Sequence, residues 1–545
     1  MNKQLVIAIV LIMLLAPSYH TLSAVAQVRS GNPHSGQFSI RKDNADVRMQ
    51  KAGELKAIIP PELINEIRHL HITGPINDDD MKFMKMLASR GSVKNDRGHT
   101  VQTYLDLDLR LARIVRSDRY GRDTSLEKLP SNAFSSWSGL RSVVLPLHLR
   151  AIGNYCFSSC SKLEMVEMPA RLQTIGDNAF RNCSQLTEAN IPSGVAEIGR
   201  GCFYDCRKLA DIVLPLQLKE IPDDAFEGTA ITQINIPVGV ERIGSRAFAK
   251  TKIRQIFIPA SVQKMNVSAF SGCQQLTEIA VDVSNPVFAD ADGLLCDRQL
   301  SQLLRCPQGL QGIVVLPESI VRIADGALQG CSLLTGVELP DGLSQIGNDA
   351  FRDCRKLAQI TLPESLSSIG NDALRDCVSL VEVVLPQGIS HIGTSLFSGC
   401  SSLMSVSLPE GMLQLPERIF KNCSRLPSVI LPASLSSIGL EAFYGCKSLA
   451  DITLPATLES FGKECFRKCE SLETFAFPEG TRVVGDKMLY DCDALHYVTA
   501  PFVAPPTVKH VCDVKKAVLL VPQGSVGEYK KADGWKKFKT IGELP

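Results

Sequence analysis

The cysteines are the residues of this sequence whose type and spacing could do chemistry. Eighteen occur among 545 residues, and thiols serve as nucleophiles, metal ligands or halves of disulfides. Twelve of them keep phase with a repeat of 23 residues, which favours packing by a small hydrophobe whose weak S–H donor reaches a turn carbonyl. This cysteine column is Cys160, Cys183, Cys206, Cys273, Cys331, Cys354, Cys377, Cys400, Cys423, Cys446, Cys469 and Cys492.

Three further cysteines, Cys156, Cys202 and Cys465, each lie four residues before a member of the column. Stacked repeats share one Cβ direction, which suits disulfides along the column poorly, so we predict free buried thiols there. Local pairing in an oxidising compartment stays open for the three C-x-x-x-C pairs, whose second members are Cys160, Cys206 and Cys469. The same spacing is a weak zinc signal, because no histidine recurs with it.

Other reactive side chains are scattered. His69 and His71 share one face of a predicted strand, and an acidic run at Asn77 to Asp80 precedes a helical pattern. Metal binding is one interpretation of each, but a helix N-cap explains the acidic run more simply. No nucleophile triad, phosphate loop or His-Glu-x-x-His motif stands out from the repeats. We therefore predict no enzyme activity, no cofactor and no metal site.

Charge and the first residues constrain where the protein acts. Lys and Arg total 58 against 57 Asp and Glu, so bulk binding to nucleic acid or an anionic membrane gains little. Lys3, the apolar run at residues 5–16 and the small-x-small site at residues 24–26 predict a secretory signal cleaved near Ala26. Twelve apolar residues are too few for the ~20 that span a bilayer. We expect an exported protein (periplasmic, cell-surface or secreted) without a transmembrane segment in the mature chain.

The elements that position these residues come from one repeated unit, L-x-x-[IV]-x-L-P-x-x-L-x-x-I-G-x-x-A-F-x-x-C-x. Its alternating apolar residues predict a strand that the proline ends, and the Ile-Gly pair predicts a second short strand. A unit of this size cannot bury its own apolar groups, but stacked units can. The Phe column that would line the core is Phe134, Phe157, Phe180, Phe203, Phe226, Phe248, Phe270, Phe351, Phe397, Phe420, Phe443 and Phe466, with leucine in its place elsewhere.

The predicted fold class is a repeat solenoid of the leucine-rich type, with a parallel sheet on one face and a small cap at each end. We divide the chain into a signal peptide (1–26), a polar leader without regular structure (27–50), an α/β N-terminal cap (51–125), the repeat array (126–500) and a strand–helix C-terminal cap (501–545). An insertion at about residues 283–310 alternates like a hairpin and should project from one rim. It is either a structural bend or a protrusion that contacts ligand.

The unit resembles the BspA-type leucine-rich repeat of exported bacterial proteins, as residues 380–393 illustrate. Residues 70–77 are similar to the N-terminal cap of that family, Asn285-Pro286 to its long inserted repeat, and residues 521–538 to its closing segment. The resemblance covers roughly residues 50–545. It implies a surface or secreted adhesion protein that binds host proteins or other bacteria and has no catalytic activity. It does not identify the ligand, because family members share the scaffold and differ in what they bind.

The outward residues of the main strands form the candidate ligand face. Two residues of each strand point outward, one before and one after the inward Ile or Val, and successive coils align them in two columns. These columns contain seven acids and no Lys or Arg, whereas basic residues collect beside the Phe-Cys turn. We therefore predict an acidic sheet and a basic turn edge, although duplication of repeats would produce such columns without any function. The candidate residues are Glu167, Glu188, Asp211, Val213, Phe257, Glu278, Glu338, Glu382, Val384, Ile430 and Asp451.

This face predicts a binding protein whose partner is another protein, preferably a basic one, with binding that weakens as salt rises. The alternative is a glycan-binding accessory protein of a polysaccharide-uptake system. Glycan platforms usually need exposed aromatic rings, and the two columns offer only Phe257 and Tyr497.

Overall fold

The computed structural model describes residues 26–28, 36–94, 100–117, 123–513 and 516–545. The chain divides into two compact units, residues 1–172 and 173–545. The predicted signal peptide lies outside the described residues except for Ala26. Among the described residues, no helix combines the length and the apolar composition that a membrane crossing requires.

The first unit is built on one sheet of strand order β1-β2-β3-β4-β7-β11-β13. Beyond β4 its strands pair in parallel, and β10 pairs in parallel with β12 on a second side. The strands are β1 (Ala26–Val28), β2 (Gln37–Arg41), β3 (Asn44–Arg48), β4 (His69–Ile76), β5 (Ser92–Lys94), β6 (Thr100–Gln102), β7 (Leu105–Asp108), β8 (Ala112–Ser117), β9 (Asp123–Ser125), β10 (Lys128–Leu129), β11 (Leu140–Val144), β12 (Ala151–Ile152) and β13 (Met165–Glu167).

The expectation of an unstructured leader at residues 27–50 is wrong. Strands β2 and β3 form an antiparallel hairpin, and β3 pairs in parallel with β4. Phe38, Ile40, Ala45 and Val47 are buried along its inner side. The polar residues between them conceal a period of two, which is the signature of a strand with one face in the core.

Two helices complete this cap, α1 (Leu55–Ile58) and α2 (Asp78–Ala88), beside a 3₁₀ turn at Pro61–Leu63. The predicted N-cap at the acidic run is confirmed: Asn77 Oδ1 accepts from the backbone N–H groups of Asp79 and Asp80. The buried carboxylate of Asp80 in turn accepts from the N–H groups of Gly53, Leu55 and Asn77. The acidic run thus caps α2 and fastens α1 to it.

The second unit is a parallel β-solenoid whose register advances 23 residues per coil, as Gln345 opposite Ser368 illustrates. Most coils contribute a main strand before the proline and a short second strand at or near the position of the Ile-Gly pair. The segments before Pro215, Pro237, Pro432 and Pro455 contain no strand. The main strands are β15 (Glu188–Ala189), β19 (Gln255–Ile258), β21 (Glu278–Val281), β25 (Gly312–Val315), β27 (Leu334–Glu338), β29 (Gln359–Ile360), β31 (Glu382–Val384), β33 (Ser405–Ser407), β37 (Thr474–Ala476), β38 (Tyr497–Thr499), β39 (Val518–Val521) and β40 (Thr540–Glu543).

The second strands are two residues long, and in most coils a glycine follows that lies against the preceding coil. A Cβ on Gly370 would stand 2.5 Å from the backbone nitrogen of Asn348. These strands are β14 (Thr174–Ile175), β16 (Glu197–Ile198), β17 (Glu220–Ile221), β18 (Arg242–Ile243), β20 (Lys264–Met265), β26 (Arg322–Ile323), β28 (Gln345–Ile346), β30 (Ser368–Ile369), β32 (His391–Ile392), β34 (Gln414–Leu415), β35 (Ser437–Ile438) and β36 (Ser460–Phe461).

The turn that carries the Phe and Cys columns forms a third ladder between coils, in which the Phe351 N–H donates to the Ala373 carbonyl. Most turns contain two residues with positive φ, as at Asp372 and Asp376. Asp, Asn and Gly tolerate this conformation best. Phenylalanines of successive coils stack inside, with the rings of Phe180 and Phe203 5.2 Å apart and nearly parallel.

The predicted hairpin at residues 283–310 is present, but it does not project. Strands β22 (Phe288–Ala291), β23 (Leu294–Asp297) and β24 (Gln302–Arg305) pair antiparallel, and β24 then pairs in parallel with β26. Asn285 is fully buried, and its amide donates to the carbonyls of Pro259 and Val262. The insertion is therefore an enlarged coil, because Leu294, Leu303 and Cys306 add to the core.

The C-terminal cap ends with helix α3 (Val526–Lys531) and strand β40. Trp535 Nε1 donates to the Pro506 carbonyl and Tyr529 Oη to that of Phe502. Both rings are buried together with Phe538, so aromatic side chains close the last coil.

Candidate functional site

The candidate ligand residues that lie on main strands turn outward, as the alternation predicts. Asp211, Val213, Ile430 and Asp451 are exposed at the equivalent positions before their prolines, in segments that form no strand. Register places Gly336 opposite Gln359, Gln359 opposite Glu382, and Glu382 opposite Ser405 in one column. Glu278 is half-buried and the other ten candidate residues are exposed. Ten of these residues belong to the second unit, and we call their surface the sheet face. Glu167 belongs to the first unit.

Apolar side chains interrupt the polar columns of the sheet face. Val213 is 82% exposed and Ile430 is 86% exposed, although aliphatic side chains of this size are usually buried in folded proteins. Phe257 and Val384 are also more than half exposed. Exposed aliphatic and aromatic groups set among polar ones are what a protein-binding surface presents to its partner.

Sequence reasoning missed two members of this face, Ile313 and Val315. They lie on β25 with 57% and 62% of their surface exposed, and register places them opposite Gly336 and Glu338. Their offset from Pro317 matches that of the other column residues from their prolines. The sequence therefore contained enough information to find both residues. The enlarged coil just before them interrupts the 23-residue spacing, which hid their place in the repeat.

The enlarged coil divides the main sheet of the second unit. Strand β21 pairs with β19, whereas β25 begins a separate five-stranded sheet with β27, β29, β31 and β33. The N–H of Ile279 donates to the Gly293 carbonyl, and the N–H of Val281 donates to Asp290 Oδ1. Phe257 and Glu278 thus lie before the division, and Glu338, Glu382 and Val384 lie after it.

Most acids of the candidate ligand face are unpaired. Glu188, Asp211, Glu338, Glu382 and Asp451 form no ion pair within the described part of the chain. Glu167 is an exception, because Arg110 Nη2 lies 3.1 Å from its Oε2. Glu278 accepts a hydrogen bond from Gln255 Nε2 at 2.7 Å.

The basic residues predicted at the turn edge are partly neutralised by ion pairs. The guanidinium of Arg375 pairs with Asp372 at 3.0 Å, and Lys421 Nζ pairs with Glu441 at 2.7 Å. Other pairs along the same turns are Arg207–Asp205, Arg352–Asp349, Arg355–Asp353 and Arg467–Asp491. These ion pairs neutralise part of the edge, because the turns place aspartates at their positive-φ positions beside the cations.

The cysteine column lies in the core, and all eighteen cysteines are free and buried. The Sγ of Cys377 donates to the carbonyl oxygen of Phe351 at 3.2 Å, and the same bond recurs in neighbouring coils. Burial raises the pKa of Cys160 to about 12. Such thiols are neutral at physiological pH, so the column packs and donates rather than reacting.

His69 and His71 share a face of β4, as predicted. His69 Nδ1 lies 3.0 Å from Asp106 Oδ2, and His71 Nδ1 lies 3.1 Å from Asp46 Oδ1. Each imidazole is therefore held by a carboxylate on a neighbouring strand. Within the described residues, no group of three or more His, Cys, Asp or Glu side chains is arranged to hold a metal ion.

Stacked coils with a parallel main sheet, an Ile-Gly second strand and an inward Phe-Cys turn define a leucine-rich repeat solenoid. The family model of the BspA type leucine rich repeat region matches residues 123–230, 196–289, 310–426 and 391–503. These segments cover more than half of the sequence, and the chain belongs to that family.

Three solved structures similar to this chain are bacterial leucine-rich repeat proteins. A leucine rich cell surface protein from Faecalibacterium prausnitzii is 23% identical, with 78% of this chain and 94% of that chain covered and a TM-score of 0.48. A leucine-rich repeat protein from Bacteroides ovatus is 20% identical, with 96% of this chain and 100% of that chain covered and a TM-score of 0.41. The T. pallidum leucine rich repeat protein is 36% identical, with 31% of this chain and 82% of that chain covered and a TM-score of 0.30. The comparison with curated proteins found no match.

Proposed function

We propose that this chain is an exported protein that binds another protein through the sheet face and catalyses no reaction. The observation that carries the proposal is the composition of the sheet face, in which unpaired carboxylates alternate with exposed Val213, Phe257, Ile313, Val315, Val384 and Ile430. Solenoids present extended surfaces of this kind to their ligands. The apolar groups supply buried area on association, and the carboxylates select the charge of the partner.

The partner expected for this face is a basic protein or peptide. The two columns contain no Lys or Arg, and several cations of the turns, among them Arg375, Lys421 and Arg467, are paired with carboxylates of the turns. The carboxylates of the columns therefore attract a positively charged partner, and added salt should weaken that attraction. Export is supported by the signal-like residues 1–26 and by membership in a family of surface proteins.

Replacing exposed apolar residues of the sheet face tests the proposal. The face variant combines Phe257→Ser, Val384→Ser and Ile430→Ser. The matched control combines Leu216→Ser, Val283→Ser and Leu413→Ser, which removes equally exposed apolar groups outside the two columns. Purified mature protein is cross-linked in cell-surface extracts, and the partners are identified at about 50 mM and about 500 mM salt.

We expect the wild type and the control to capture the same protein at low salt, with capture reduced at high salt and in the face variant. Equal capture by the face variant would contradict the proposal. A glycan array serves as the second measurement, since glycans retained equally at both salt concentrations would favour the glycan-binding alternative.

A further inference from the structure

The sheet face contains a hollow of about 320 Å³ where one side chain is missing from a column. Its floor is Gly336, which lies on β27 between Ile313 of β25 and Gln359 of β29. Neighbouring positions of the column carry side chains, whereas Gly336 has none and is partly covered by Ile313, whose Cγ1 lies 3.4 Å from the position of a Cβ at Gly336. The wall toward β25 is the exposed aliphatic chain of Ile313.

The polar lining of this hollow carries one sign of charge. Glu338 and Asp341 line it together with Thr361, and none of the lining residues is Lys or Arg. Both carboxylates are exposed and form no ion pair within the described residues. The residues that follow the proline in the surrounding coils add further acids along the same rim: Glu318, Glu364 and Glu410.

A second hollow on the sheet face differs in this respect. It lies before the enlarged coil beside Phe257, and Arg254 is among its lining residues together with Glu278. Opposite charges are thus already present in this second hollow, so it does not discriminate between ligands by their charge. The combination of an aliphatic wall, a missing side chain and unopposed carboxylates is a feature of the hollow at Gly336.

We propose that the hollow at Gly336 receives a lysine or arginine side chain of the protein partner. The methylene stem would pack on Ile313, and the cationic head would lie between the carboxylates of Glu338 and Asp341. Long basic side chains bury their stems while the charged heads stay solvated or paired. This inference rests on the proposed function, and it assigns to one coil the preference for a basic partner.

Two substitutions test the hollow, and each has a control on the same face. Gly336→Gln fills it without changing charge; a Cβ at this position lies 3.4 Å from Ile313 Cγ1, which is ordinary contact. Its control is Ser405→Gln, which adds the same side chain to the same column outside the hollow. Glu338→Gln removes one carboxylate from the hollow, and Glu382→Gln removes one elsewhere on the sheet face.

The probes are end-blocked peptides of alternating Thr and Ser with Arg, Lys, citrulline or Glu at one central position, displayed on a biosensor. We expect the wild type to retain the Arg and Lys peptides over the citrulline and Glu peptides. Gly336→Gln should reduce that retention about tenfold, and Glu338→Gln about two- to fivefold. Both control variants should behave as the wild type, and thermal melting verifies that all variants fold.

Equal retention of citrulline and arginine peptides would overturn the assignment, and so would retention unchanged by Gly336→Gln. Failure of the wild type to retain any peptide would also overturn it. None of these results contradicts the proposed function, provided that the wild type captures its protein partner and the face variant captures less of it. Loss of specific capture by the whole sheet face would instead remove the proposed function and this inference together.

Discussion

The Sγ of Cys423 lies 3.1 Å from the carbonyl oxygen of Phe397, 26 residues earlier in the chain. That oxygen also accepts from the backbone N–H of Cys400 in its own turn. Each turn carbonyl therefore receives one bond from its own coil and one from the next. This links the Phe column to the cysteine column in the direction in which the coils stack.

Cys423→Ala should lower the free energy of unfolding by about 1–2 kcal/mol, because it removes that thiol donor and leaves a small void. Urea denaturation followed by circular dichroism measures the loss. Cys465→Ala is the control, since Ala442 occupies the equivalent position of the preceding coil. It should cost less than Cys423→Ala. Equal losses would mean that the sulfur acts by volume alone.

The buried thiols should make stability fall at alkaline pH. Burial raises the pKa of both Cys160 and Cys296 to about 12, from an ordinary value of 9.0. The folded state thus holds these protons more tightly than the unfolded state. The stabilisation is complete below pH 9 and is lost as pH rises from about 9 toward 12.

Urea midpoints measured at about pH 8 and about pH 10.5 check this direction. The urea midpoint of the wild type should decrease at the higher pH. The midpoint of Cys296→Ala should decrease less, because this variant lacks one of the titrating groups. Iodoacetamide labelling provides a second measurement: native protein at about pH 8 should resist it, and protein in urea should react fully. Rapid labelling of native protein would contradict the buried column.

Phe420 should contribute strongly to stability through stacking. Its ring centroid lies 5.7 Å from that of Phe397 and 5.3 Å from that of Phe443. Phe420→Ala should cost about 3–5 kcal/mol by the cavity it opens. Phe420→Leu should cost about 1–2 kcal/mol, because Leu374 fills the same column position elsewhere. Thermal and urea unfolding of both variants measure the difference, and similar costs would argue against close packing of the column.

Asp80 should be the acid that stabilises the N-terminal cap. Its carboxylate accepts three backbone N–H groups, from Gly53 at 2.6 Å and from Leu55 and Asn77 at 3.0 Å. Asp80→Ala should cost about 2–4 kcal/mol, since three donors lose a charged acceptor. Hydrogen exchange should then accelerate in α1 and at the start of α2.

Asp79→Ala is the matched control for that prediction. Asp79 is exposed and pairs only with Lys82 among the described residues, and exposed pairs of this kind contribute little. Its exchange rates should stay close to those of the wild type. Comparable acceleration in both variants would mean that the acidic run acts through charge at the helix N-terminus rather than through the bonds of Asp80.

The repeat itself was predictable because each coil has the same residue types at the same positions. The period, the proline that ends the main strand and the inward Phe and Cys columns all follow from residue types at fixed offsets, as Ile360, Pro363 and Cys377 illustrate. The leader was mispredicted because its few apolar residues, such as Phe38 and Ile40, are separated by polar ones. Their burial requires a partner strand, β3, and that pairing is decided by the fold.

The sequence by itself determined which residues face the core and which face outward, since alternation along a strand fixes the side of every side chain. Only the tertiary structure decided which of them meet. Pairing of Lys421 with Glu441 of the next coil neutralises part of the basic edge, Asn285 anchors the insertion as a coil, and Gly336 forms the floor of a hollow between Ile313 and Gln359. The physical reason is that these contacts join neighbouring coils or turns, and their geometry depends on register and stacking that no single repeat contains.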